Sequence, residues 1–206
     1  MFNARSIRNK IDELIILTTT HKPNLILITE SWLNSSIPNS ILKIDDYKII
    51  RNDRKHKKGG GVCAYIHKDT TFVLEELSGV PTNINIIAFS AKNFIYILIY
   101  IPPNLLANEN LEIINFLIKT YDEHLIKYPD KNIIICGDFN KIDIKYLEIH
   151  HNLLNIINKP TRKDSILDIR LVNNKLQDQF DISIREPLSS SDPNVCLLYT
   201  SPSPRD

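Results

Sequence analysis

Apolar residues along this chain follow two rhythms: short runs that are apolar almost without interruption, and longer stretches that repeat at helical spacing. Ile7, Ile11, Leu14, Ile15 and Leu17 fall at helical spacing, and Pro23 closes that segment. Residues 24–29 (Asn-Leu-Ile-Leu-Ile-Thr) then read as a strand buried on both faces. Weaker strands are predicted over 47–51 and 62–67, with Gly59-Gly60-Gly61 as the turn between them. Two more are expected over 84–90 and 94–101. Pro102-Pro103 ends the second, because proline cannot continue a sheet ladder. From 108 to 127, Leu111, Ile114, Leu117, Ile118, Tyr121 and Leu125 define one apolar helix face. Residues 132–136 form a fully apolar strand that stops at Gly137-Asp138-Phe139-Asn140. A short helix over 144–157 and strands over 167–172 and 181–185 complete the pattern. Strands outnumber helices, which predicts an α+β or layered α/β sandwich.

Composition narrows the class without naming a function. With 206 residues, the chain can bury about 70% of its unfolded surface in one core. An apolar fraction of 43% with 24% charged residues is that of a globular domain. The net charge of +1 excludes a basic-tail protein but not a nucleic-acid partner, since a bound divalent metal supplies positive charge locally. No apolar run is long enough to cross a membrane as a helix. Asp12 and Glu13 occupy the stretch where a signal peptide needs an apolar centre, so the expected setting is intracellular. Cys63, Cys136 and Cys196 are too scattered for a disulfide framework or a zinc site. One domain is expected over 1–195. The Ser/Pro-rich end, 196–206, is expected to lie outside any natural fold or to be an ordinary disordered tail.

Four polar clusters sit at predicted strand ends, where layered α/β proteins place function. Thr29-Glu30-Ser31-Trp32 puts a carboxylate at the exit of a buried strand, which suits a hard cation but equally a solvated turn. Gly137-Asp138-Phe139-Asn140 ends an apolar strand in a carboxylate and an amide two residues apart. Extended backbone would put both on one face; the alternative is a simple turn. Asp168 interrupts an apolar strand, which is costly unless it is paired or functional. Ser189-Ser190-Ser191-Asp192 reads alone as a polar loop or helix cap. The basic run 51–58, with Arg54, offers contact to a phosphate backbone or is a solvated loop. Gly59-Gly60-Gly61 lacks the Gly-Lys-Ser/Thr ending of a phosphate-binding loop. Tyr100 brings a phenol to a strand end, where core packing is the alternative role.

In order, these segments resemble the endonuclease/exonuclease/phosphatase superfamily, and more narrowly the apurinic-endonuclease-like domain of non-LTR (LINE-type) retrotransposon polyproteins. The matching text is Asn3-Ala4-Arg5-Ser6, Ile28-Thr29-Glu30-Ser31-Trp32-Leu33, Arg51-Asn52-Asp53-Arg54 with Gly59-Gly60-Gly61-Val62, Tyr100-Ile101-Pro102-Pro103, Gly137-Asp138-Phe139-Asn140, Leu167-Asp168-Ile169 and Ser191-Asp192. The resemblance implies a four-layered α/β sandwich with two packed mixed sheets flanked by helices. It implies that Glu30 binds Mg²⁺ (Mn²⁺ as a possible substitute) with Asn3 close by. Asp138 would orient or deprotonate the attacking water, and Asn140 and Tyr100 would contact the scissile phosphate. Thr161 and Ser191 become supporting polar positions, with Arg54 a DNA contact. Asp168 becomes a carboxylate that fixes its neighbours, and Asp192 the partner of a histidine. The implied activity nicks double-stranded target DNA so that the exposed 3′-hydroxyl primes reverse transcription. That places the chain in the nucleus, as a monomeric domain, with a reverse transcriptase domain in the full-length polyprotein.

The chain departs from the family in three places. Pro193 stands where the family has histidine, and a proline can neither contact phosphate nor take a proton. A loss on the order of 10²–10⁴-fold is expected from that change alone. Only Met1-Phe2 precede Asn3, where the family has a strand, and the Ser/Pro tail replaces the last strand. A fragment clipped at both ends is therefore expected. Two alternatives stay open: an inositol-phosphate or sphingolipid hydrolase on the same scaffold, and a degenerate DNA-binding or unfolded remnant.

Overall fold

The computed structural model describes residues 1–55, 59–157, 167–173, 175–176, 180–185 and 195–200. The first strand, β1 (Phe2–Asn3), leads through a 3-10 turn (Arg8–Lys10) into helix α1 (Ile11–His21). Lys22 ends α1 in the left-handed region with its N–H on the Thr18 carbonyl, and Pro23 forbids continuation. Strands β2 (Leu25–Thr29), β3 (Tyr47–Asn52) and β4 (Val62–His67) follow, then β5 (Phe72–Glu75), β6 (Asn85–Ala91) and β7 (Phe94–Tyr100). Helix α2 (Ala107–Lys127) crosses to β8 (Asn132–Asp138). The chain continues through α3 (Lys145–His151), β9 (Leu153–Asn155), β10 (Asp168–Asn173), β11 (Phe180–Arg185) and β12 (Val195–Thr200).

Two mixed sheets result, ordered β1-β2-β4-β3 and β5-β6-β7-β8-β10-β9, beside a β11-β12 pair. Period-2 alternation explains why their central strands look uniformly apolar in sequence. On β7 and β8, Ile95, Ile97, Ile99, Ile133 and Ile135 face Ile113, Ile114, Leu117 and Tyr121 of α2. The intervening Leu98, Tyr100, Ile134 and Cys136 meet Leu27, Val62, Ala64 and Ile66 of the other sheet. That sheet's outer face, Ile26, Ile28, Cys63 and Tyr65, packs under Leu14 of α1. Helix, sheet, sheet and helix make four layers, as expected from the resemblance. The parallel pairing of β7 with β8 needs a long crossover, and α2 supplies it.

Several expectations are corrected. The buried face of α2 is Ile113, Ile114, Phe116, Leu117, Thr120, Tyr121 and His124, while Leu111 and Leu125 are exposed. The helix predicted over 144–157 stops at His151. Asn152 takes a left-handed cap, and the chain reverses into β9, which pairs with β10. Strand β5 escapes the pattern because it is a four-residue edge with Val73 and Leu74 exposed. Of the missing first strand, Phe2–Asn3 is present and pairs in parallel with Ile28 and Thr29. The tail expected from 196 is a strand through Thr200, in antiparallel register with β11, where β-branched and aromatic residues favour pairing. Residues 201–206 lie outside the described residues.

Candidate active site at the sheet ends

A row of polar side chains caps the core between the sheets. Asn85, Tyr100, Asp138 and Asp168 are register partners across β6, β7, β8 and β10. Directly opposed residues share a sheet face, and this is the face that meets the other sheet. All four are at least 95% buried. Gly137 makes the row possible: at φ +151°, an added Cβ would lie 1.8 Å from the Ile99 carbonyl oxygen. Only glycine permits β7 and β8 to approach so closely there.

Asp138 is held from two sides. Its Oδ2 accepts the Asn3 amide at 2.7 Å, and its Oδ1 accepts the Asn140 backbone N–H at 3.1 Å. Burial first, and then the charge of Asp168, push its carboxyl up to about 8 despite those two donors. Asn140 does not follow Asp138 in extended backbone. The strand ends at Asp138, and Asn140 turns at φ +50°, giving its side-chain amide to the Ile101 carbonyl at 2.6 Å. A turn, not strand alternation, therefore brings the two side chains to one cavity.

Glu30 arrives from the opposite sheet. It follows β2 at φ +53°, and its backbone carbonyl accepts Ser6 N–H at 3.0 Å. Its Oε2 accepts the Gly60 N–H at 2.9 Å and the Trp32 indole N–H. The Tyr100 phenol also hydrogen-bonds this carboxylate. Burial, with Glu30 adding to it, raises the Tyr100 phenol far above its ordinary value, so it stays protonated. The Gly59-Gly60-Gly61 turn lies across this group. A Cβ at Gly60 would meet Tyr100 Cε1 at 2.9 Å and Arg54 Cδ at 2.6 Å, and its φ is +71°.

Asn3, Glu30, Tyr100, Asp138 and Asn140 thus line one cavity of about 310 Å³, together with Arg5, Trp32 and Pro103. Asp168 stands behind Asp138. Arg54 lies over the Tyr100 ring at 5.8 Å and lines a neighbouring cavity of about 940 Å³. Arg51 is not a loop cation: its guanidinium binds Asp53 at 2.9 Å and the Ile37 carbonyl at 2.8 Å. Thr161, Ser191 and Asp192, with Pro193, lie outside the described residues. No histidine lines the cavity among those described. His151 packs on Tyr121, with ring centroids 4.5 Å apart. Sequence reasoning missed Asn85 altogether, and quoted Asn52 and Gly60 in the matching text without assigning them a place in the site. An Asn at the start of an apolar strand carries no local signal.

The donors fit a hard cation. Glu30 offers carboxylate oxygen, Asn3 an amide oxygen and Asp138 a second carboxylate, all on one cavity and with no sulfur or imidazole. No group of three or more His, Cys, Asp or Glu gathers among the described residues. One or two carboxylates beside open space suit an ion that keeps several waters, as Mg²⁺ does, and not a full protein cage.

No family model and no curated protein sequence matches this chain. Solved structures do. The endonuclease domain of TRAS1, a telomere-specific non-LTR retrotransposon, matches at TM-score 0.68 and 17% identity, over 95% of this chain and 94% of that one. The 3′-5′ exonuclease NExo from Neisseria meningitidis matches at TM-score 0.72 and 12% identity, over 97% of each. The fold is that of the AP-endonuclease-like nucleases. An AP endonuclease from Leishmania major shows the same AP-endonuclease-like fold at TM-score 0.72 and 13% identity, over 98% of this chain and 86% of that one.

Proposed function

We propose that this chain is a Mg²⁺-dependent DNA endonuclease domain of the non-LTR retrotransposon type, nicking target DNA to prime reverse transcription. The observation that carries the reading is the convergence of Glu30 and Asp138, from two different sheets, on one cavity with Asn3, Tyr100 and Asn140. The AP-endonuclease-like fold adds support, since the similar structures are named for endonucleases, an exonuclease and a 3′ phosphatase, the last bound to a product DNA hairpin.

Glu30, with Asn3 beside it, would hold the cation, and Mn²⁺ has suitable chemistry to replace Mg²⁺. When bound, the ion neutralises charge that builds on the phosphoryl oxygens. Asp138 takes the proton of the attacking water as the new P–O bond forms and the P–O3′ bond breaks, and the departing O3′ takes a proton from solvent. The products are a 5′-phosphate and a 3′-hydroxyl. Burial and the charge of Asp168 raise the proton affinity of Asp138 above that of an ordinary aspartate, the direction a proton acceptor needs. Asn3 and the Asn140 backbone aim it. Asn140 is fixed through one of its two side-chain N–H donors, which leaves the other for a phosphate oxygen. Tyr100, kept protonated, donates to Glu30 or to phosphate. Arg54, on the lip toward the larger cavity, contacts the DNA backbone.

The test is nicking of supercoiled plasmid in Mg²⁺, with EDTA and Asp138→Ala as controls and Pro193→His as the restoring variant. Cleavage by Pro193→His that EDTA stops supports the proposal. Cleavage that persists in EDTA or in Asp138→Ala overturns it. Release of phosphate from inositol phosphates, without nicking, would move the substrate to a different class.

A further inference from the structure

We propose that Asn85 is a positioning residue that locks the triple-glycine turn so that the turn holds Glu30. Asn85 is buried to 95%, sits at the end of the polar row, and is the register partner of Tyr100. Its Oδ1 accepts the Gly61 N–H at 3.1 Å, and its Nδ2 donates to Asn52 Oδ1 at 3.1 Å. One amide thus ties the six-stranded sheet to both ends of the β3–β4 connection. The next glycine back, Gly60, gives its N–H to Glu30 Oε2. Its own carbonyl accepts Trp32 N–H at 3.0 Å, and the Gly61 carbonyl accepts Ser31 N–H at 3.2 Å.

All three glycines have positive φ, between +71° and +85°. A triple-glycine turn is free to leave that geometry at little steric cost, so something outside it must select the conformer. Asn85, buried in a strand of the other sheet, is a side chain in position to do so beside Glu30 itself. Without its acceptor, Gly61 N–H is buried and unpaired, and the turn relaxes toward water. The donor to Glu30 then moves with it, and the carboxylate loses one of the groups that orient it. Removing such a supporting partner of a metal ligand typically weakens metal binding 10- to 100-fold.

The metal half of this argument rests on the endonuclease reading; the turn half does not. The chain holds five glycines and one tryptophan, so both halves have clean probes. In ¹⁵N-glycine-labelled protein, with Glu30→Gln identifying Gly60, Asn85→Ala should move the Gly60 and Gly61 amide signals together and leave Gly79 in place. Asn85→Asp keeps the acceptor, and Asn52 can turn its amide to donate, so both signals should stay near their original positions. Trp32 touches Glu30, so its fluorescence follows a Mg²⁺ titration. The midpoint should rise about tenfold or more in Asn85→Ala and stay within about twofold in Asn85→Asp. Gly60 unmoved in Asn85→Ala overturns the proposal, as does an unchanged midpoint; a Trp32 signal indifferent to Mg²⁺ in the unaltered chain overturns the metal reading and leaves the lock to be decided by the glycine signals. If Asn85→Ala does not fold, hydrogen exchange in the unaltered chain decides. Gly60 and Gly61 exchanging together and far more slowly than Gly79 supports the lock; Gly61 exchanging as fast as Gly79 overturns it. Glycine and tryptophan responses as expected, with no DNA cleavage by any variant, would support the positioning role and overturn only the endonuclease reading.

Discussion

The side-chain amide of Asn3 donates to Asp138 Oδ2 at 2.7 Å, although the two residues are 135 positions apart. The bond joins the first strand of one sheet to the end of the central strand of the other. It also stabilises the ionised carboxylate in a place where burial and Asp168 disfavour it. Two sheets must pack correctly before it can form, so the acid–base character of Asp138 depends on the fold closing.

Asn3→Ala should therefore lower nicking by about 10- to 100-fold while circular dichroism stays unchanged. The measurement is single-turnover cleavage of supercoiled plasmid in the Pro193→His background. Unchanged cleavage would show that Asp138 does not need this donor.

Glu30→Ala should abolish Mg²⁺-dependent cleavage and the Mg²⁺ response of Trp32 with little change in melting temperature. Glu30 stands at the cavity mouth, not in the apolar core. A collapse of the folded signal would assign Glu30 a structural role in place of a metal-binding one.

Asp138 has a folded value of about 8, against an ordinary aspartate value near 3.8. The unfolded chain ionises first, so its contribution to stability is intact below about pH 4 and is lost as pH rises toward 8. In EDTA, Asp138→Asn removes that penalty. The melting temperature of this variant, relative to the unaltered chain, should climb between pH 4 and 8 and then level off. A difference that does not change with pH would contradict the buried-carboxylate account.

Glu75 behaves in the opposite sense. Its side chain is 2% exposed and accepts from Lys127 at 3.0 Å and Tyr128 at 2.9 Å, tying β5 to the end of α2. Burial raises its carboxyl, but hydrogen bonds from Lys127, Tyr128 and Ser90 outweigh that, and the net shift is downward. Its stabilisation is present above its unfolded value and is lost as pH falls through the folded one. Glu75→Gln should cost about 1–2 kcal/mol near neutral pH in urea unfolding, with the difference shrinking as the pH falls below the ordinary glutamate range.

Gly137→Ala should prevent folding or cost about 3 kcal/mol or more, because backbone, not a movable side chain, occupies the space of its Cβ. Expression with normal β-sheet dichroism and melting temperature would contradict the close β7–β8 approach.

The layers were legible from hydrophobic rhythm because both faces of the central strands are covered, which leaves Ile-rich runs in β7 and β8. Short or edge elements were not: β5 has half its residues in solvent, β9 follows a helical pattern, and β1 is two residues long. Glu30, Asp138 and Asn140 stood out because polar groups ended apolar runs. Asn85 did not, and Gly60 did so only as part of a turn, since each matters to the site only through a neighbour brought from elsewhere in the chain.

Amino-acid order alone established the long central strands, where their apolar runs end in acids and amides, and that their ordered text resembles a nuclease family. Packing of one sheet against the other settled which of those groups share a cavity, which carboxylate holds its proton, and what braces the glycine turn. The reason is physical: strand-forming tendency and burial are read along the chain, whereas a hydrogen bond or a shifted carboxyl depends on atoms that meet only when distant segments close on each other.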